Sequence, residues 1–110
     1  MIKNHEISLQ DAIDMATRYR ANRPPNFPLC ETFGKDAINK LLATAGCASL
    51  RIYYGMKNDN QENAILVAVN AEGEDILPSL TSNGTNGPVI IQDSFRCPDD
   101  CPPASPLNKD

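Results

Sequence analysis

Ala64-Ile65-Leu66-Val67-Ala68-Val69 is the stretch that decides the fold. It is apolar at every position, β-branched at 65, 67 and 69, and too short to pay for a packed helix. Polar residues from Lys57 to Gln61 precede it and Asn70-Ala71-Glu72-Gly73 follows it. A short apolar run between two turn segments reads as a central strand covered on both faces.

The neighbouring segments build outward from that strand. In Ser49-Leu50-Arg51-Ile52-Tyr53-Tyr54-Gly55, apolar Leu50, Ile52 and Tyr54 alternate with Arg51 and Tyr53. Side chains of a strand alternate between faces, so this is a half-buried strand with Leu50, Ile52 and Tyr54 inward. Glu74 to Leu77 fits a short third strand after the 70–73 turn, and Val89-Ile90-Ile91 a last one. Ser82 to Gly87 reads as a glycine and asparagine loop.

Two helices precede the strands. Ser8 caps a helix through Arg20, with Asp11 completing a weak capping box and Leu9, Ala12, Ile13, Ala16 and Tyr19 on one face. Arg23-Pro24-Pro25 stops it, because a residue before proline is pushed out of the α region. A proline-rich connector spans Asn22 to Glu31. A second helix opens at Thr32 or Gly34 and runs through Ala45, with Ala37, Ile38, Leu41, Leu42 and Ala45 as its stripe. Gly46 suits the left-handed position that ends it.

The expected architecture is therefore α+β: two N-terminal helices packed on one face of a three- to four-stranded antiparallel sheet. Residues 1–96 form the domain. Residues 97–110 form a cysteine- and proline-rich tail holding four of the nine prolines, which bars helix or inner strand there. A chain of 110 residues, 41% hydrophobic and 22% charged, has the size and composition of one globular domain.

The net charge is −4, unevenly spread. Up to Lys57 there are eight basic and five acidic residues; beyond it, two basic and nine acidic. That acidic half argues against nucleic acid as a partner, which a continuous basic surface would serve. Arg18, Arg20 and Arg23 cluster where a helix C-terminus favours cations. The first residues lack an apolar signal segment and no run is long enough to cross a membrane, so the expectation is a cytoplasmic protein without a membrane partner.

The cysteines pose the main chemical question. Cys47, Cys97 and Cys101 are candidate zinc ligands, with Cys30 or His5 as a fourth, although the C-x3-C spacing at 97–101 differs from a zinc knuckle. A disulfide from Cys47 to Cys97 or Cys101 is a second arrangement, and free thiols with Cys30 and Cys47 as small buried hydrophobes a third. Thioredoxin-type redox chemistry needs two intervening residues rather than three.

Other motifs do not survive a chemical check. His5 is the only histidine and precedes the Ser8 cap. Asn58 to Glu62 lacks the glycine of a calcium loop. No Lys-Ser or Lys-Thr follows the 82–87 glycines as a P-loop requires. Pro103-Ala104-Ser105-Pro106 matches P-x-x-P incidentally. Arg51 and Tyr53, facing away from the core on one strand, are the candidate binding residues, since arginine and tyrosine are enriched in binding hot spots.

Several stretches together carry a resemblance. Phe33-Gly34-Lys35-Asp36-Ala37-Ile38, Gly46-Cys47-Ala48-Ser49-Leu50-Arg51-Ile52-Tyr53-Tyr54-Gly55, Val67-Ala68-Val69-Asn70-Ala71-Glu72-Gly73 and Cys97-Pro98-Asp99-Asp100-Cys101 occur in an order similar to that of a group of small uncharacterised bacterial proteins. The resemblance implies a bacterial, stand-alone domain and transfers no functional residue.

These readings lead to a non-enzymatic module that binds a protein partner or itself, as a homo-oligomer, without a cofactor. The alternative is a small zinc-binding domain.

Overall fold

The computed structural model describes residues 3–79 and 87–109. Over these residues the chain is an α+β protein of two helices and antiparallel sheets. Most of the loop expected over 82–87 lies outside the described residues.

Helix α1 spans Leu9–Asn22. The Ser8 hydroxyl accepts from the Asp11 backbone N–H at 3.0 Å, so the cap read from sequence forms. Arg23 leaves the helix in an extended conformation, as the following proline requires. No residue of α1 is buried. Its contacts run instead to the connector and the tail: the Tyr19 hydroxyl donates to Pro28 O at 2.6 Å, and Arg20 donates to Leu107 O at 2.8 Å. The expectation of two helices packed on one sheet face thus differs for α1, which has no buried residue.

After the connector, strand β1 (Cys30–Thr32) pairs antiparallel with the last strand, β6 (Phe95–Cys97). Residues 30 and 31, expected in the connector, and Cys97, expected in the tail, are thus strand residues. Cys97 closes β6 and is 2% exposed.

Helix α2 spans Lys35–Leu42 and packs on the sheet. It ends earlier than the apolar stripe suggested. Residues 43–46 form a turn that closes with Cys47 N donating to Thr44 O, and Gly46 takes φ +82°. Only glycine enters that left-handed region without a Cβ penalty.

The larger sheet is built on β3 (Glu62–Val69). Strand β2 (Ser49–Met56) pairs along one side of it over eight residues. Short strands β4 (Asp75–Ile76) and β5 (Ile90–Ile91) share the other side. The register sets Leu50 against Ala68, Ile52 against Leu66 and Tyr54 against Ala64. Directly paired residues share a face, so these six line one side of the sheet and Arg51, Tyr53, Val67 and Asp75 the other.

The core lies on the first side. Leu41 of α2 sits on Ala64, Leu66 and Ala68, with Phe33, Ile38, Cys47, Leu50, Ile76, Val89 and Ile91 around it. β3 is buried along nearly its whole length, as the unbroken apolar run implied.

Among the described residues, no strand pairs with the first half of β3 on its outer side. Polar groups from the small sheet and the connector serve its backbone there. Both Glu31 carboxylate oxygens accept from Ala64 N, Arg96 Nε donates to Glu62 O at 3.0 Å, and Glu62 N donates to Asn26 O. Buried backbone groups demand partners, and side chains supply them where the ladder stops.

Candidate functional site

β2 is the terminal strand of its sheet: it pairs with β3 and, among the described residues, with nothing on its outer side. Its row Ile52, Tyr54 and Met56 lies on the core side, yet the three are 49%, 76% and 61% exposed. The inward orientation read for Ile52 and Tyr54 is met in direction but not in burial. Length explains the difference. Eight helical residues reach about 12 Å, whereas eight strand residues reach about 26 Å. α2 packs over β3 and β5, and the core takes in Leu50 of β2 but leaves Ile52, Tyr54 and Met56 exposed.

Beside this row runs a groove of about 740 Å³, lined by Tyr19, Phe27, Leu29, Cys30, Tyr54 and Met56, with Glu31 and Glu62 among its polar groups. Most of that polarity is already committed. Glu31 holds Ala64 N and accepts from the Ser94 hydroxyl at 2.8 Å. The Tyr19 hydroxyl donates to Pro28 O. Burial, and next the Glu62 carboxylate, push the Tyr19 phenol above its ordinary pKa. The groove is therefore an apolar trough whose polar groups mostly hold the fold.

Arg51 and Tyr53 lie on the opposite face, and Asp75 of β4 draws both together. Arg51 Nη1 stands 2.6 Å from Asp75 Oδ1 and Nη2 donates to Gly73 O; the Tyr53 hydroxyl donates to Asp75 Oδ2. With Arg51 paired to Val67 and Asp75 to Val69, the ion pair crosses over β3. The Tyr53 hydroxyl and then Arg51 hold the Asp75 carboxyl below its usual range, while Asp75 and next Tyr53 raise Arg51. Sequence alternation placed Arg51 and Tyr53 on one face; Asp75, twenty-two residues beyond Tyr53, carried no local signal.

The cysteines divide differently from the zinc set. Cys97 and Cys101 are bonded to each other, while Cys30 and Cys47 are free thiols. Cys47 lies after α2, its Sγ directed to Ser49 O at 3.3 Å. Among the described residues no three His, Cys, Asp or Glu side chains gather as metal ligands. The bond within C-x3-C was not among the pairings read from sequence, although four-residue separation lets two cysteines meet across a tight turn.

No described helix is long and apolar enough to cross a membrane. Comparison with protein-family models, with curated proteins and with solved structures finds no match for this chain.

Proposed function

We propose that this chain is a non-enzymatic binding module whose partner is a second copy of itself, docked along the outer edge of β2. The observation that carries this reading is an eight-residue edge strand bearing exposed Ile52, Tyr54 and Met56. An edge strand offers a row of unpaired N–H and C=O groups, and proteins blunt such edges with charge, proline or covering segments. β2 has no proline. Its one charged side chain, Arg51, is drawn over β3 by Asp75.

A second β2 across a two-fold axis normal to the sheet would extend the sheet and keep faces matched. Centred on Tyr53, it sets Ile52 against the partner's Tyr54 and joins two apolar rows. Arg51 and Tyr53 would then lie at the centre of the opposite face, held by Asp75. A further feature supports association. The radius of gyration is 15.9 Å, against about 13 Å for a compact domain of this length.

Light scattering on eluting protein tests the reading. The expected result is twice the monomer mass, falling to the monomer for Ile52→Lys combined with Tyr54→Lys, with unchanged circular dichroism. Tyr54 is exposed, so the charge leaves the monomer's stability within about 0.5 kcal/mol. Wild-type protein that stays monomeric at high concentration overturns the proposal. A dimer indifferent to the lysines, and to Arg51→Ala and Tyr53→Ala, overturns the surface.

A further inference from the structure

Cys30 stands directly opposite Cys97 in the β1–β6 ladder, and Cys97 is bonded to Cys101. Cys30 itself is a free, half-buried thiol. Opposed residues of an antiparallel pair have Cα atoms about 4.5–5.5 Å apart, inside the range of roughly 4.4–6.8 Å that a disulfide spans. Their side chains share a face of the sheet. Cys97 therefore has two partners within bonding reach: Cys101 along the chain and Cys30 across the ladder.

We propose that Cys30, Cys97 and Cys101 form an internal thiol–disulfide exchange site, in which Cys97 trades its bond to Cys101 for a bond to Cys30. Cys30 loses its proton and its thiolate attacks Cys97 Sγ. The Cys30–Cys97 bond forms as the Cys97–Cys101 bond breaks, and Cys101 leaves as a thiolate that takes up a proton. One disulfide and two free thiols, Cys47 included, exist before and after, so no outside oxidant or reductant takes part.

The exchange changes what the surface offers. Cys30 lines the apolar groove, whereas Cys101 is exposed at the start of the tail. A thiol thus moves from the groove to an accessible site where another thiol or disulfide reaches it. The staple moves as well, from a tight loop within the chain end to a bond between β1 and β6. Burial, with Glu31 adding to it, raises the Cys30 thiol above its ordinary pKa, which keeps it mostly protonated near neutrality and slows its attack on Cys97.

The test is a disulfide map of the full chain carrying Cys47→Ser, incubated at mildly alkaline pH without oxygen, oxidant or reductant. Acid quenching, N-ethylmaleimide labelling in denaturant and cleavage before aspartate separate Cys97 from Cys101 at Asp99. The expected result is a Cys30–Cys97 linked peptide in monomeric protein, matched by labelled Cys101 that falls to background in Cys30→Ser. A Cys101→Ser variant in glutathione buffer should also form the Cys30–Cys97 bond. Exclusive Cys97–Cys101 linkage in the first sample, or a Cys101→Ser protein whose Cys30 and Cys97 both stay free, overturns the proposal.

Discussion

Both carboxylate oxygens of Glu31 lie within hydrogen-bonding reach of the Ala64 backbone N–H, at 3.0 and 3.1 Å. Ala64 is buried, and this carboxylate serves its N–H at a position where, among the described residues, no strand pairs with β3 on that side. Glu31→Ala leaves that N–H and the Ser94 hydroxyl without their acceptor. A buried donor stripped of its partner costs about 1–3 kcal/mol, so the urea midpoint should fall accordingly. Glu31→Gln keeps an acceptor and should lose less. Equal midpoints for Glu31→Ala and wild type would remove Glu31 from the account of how the two sheets join.

Asp75 makes stability depend on pH in a stated direction. The Tyr53 hydroxyl and Arg51 hold its folded pKa below the ordinary value. A depressed carboxyl contributes stability above its unfolded pKa of about 3.9 and loses it as pH falls through the lower folded value. Asp75→Asn has no such group. The gap between wild type and Asp75→Asn in denaturant midpoint should therefore be full near neutrality, shrink below about pH 4 and close in strong acid. The pair is partly open to water, so added salt should also narrow the gap. A gap that holds constant into strong acid would contradict this assignment.

Leu41 and Leu42 are adjacent leucines with opposite roles. Leu41 is 0% exposed at the centre of the core; Leu42 is 49% exposed on the other side of α2. Leu41→Ala should cost about 2–5 kcal/mol through lost burial and the cavity it leaves. Leu42→Ala should stay within about 0.5 kcal/mol. Thermal melts of the two variants check the helix's rotation: similar losses would mean that α2 is set differently on the sheet.

Legibility in the sequence followed the range of the interaction. Ser8 and the alternation of Leu50, Ile52 and Tyr54 are local signals that matched their elements, whereas Gly46 takes the left-handed conformation expected of it but four residues past the end of α2. The apolar run at 64–69 likewise identified β3. The β1–β6 pairing was hidden because it joins three-residue segments more than sixty positions apart. Cys30-Glu31-Thr32 has no periodicity to read at that length. Exposure of Tyr54 was hidden for another reason: alternation sets a side chain's direction, while cover depends on how far α2 extends. Arg51 and Tyr53 were legible as a pair on one face, but the Asp75 that organises them lies across β3.

Gly55 and Ile65 supply a test of the β2–β3 register itself. A Cβ on Gly55 would stand 2.7 Å from Ile65 Cδ1, so the isoleucine tip fills the space that the glycine leaves. Alanine gains roughly 0.5–1 kcal/mol over glycine in a strand through lower unfolded-state entropy. Crowding of a packed neighbour costs about 1–3 kcal/mol, so Gly55→Ala should be destabilising on balance. Ile65→Val removes the colliding methyl at its own cost of about 0.5–1.5 kcal/mol. In that background Gly55→Ala should become neutral or stabilising, because the contact is gone and the strand preference remains. A double-mutant cycle reads the coupling directly. Strict additivity would mean that Ile65 does not lie over Gly55, and the register setting Gly55 against Asn63 would have to move.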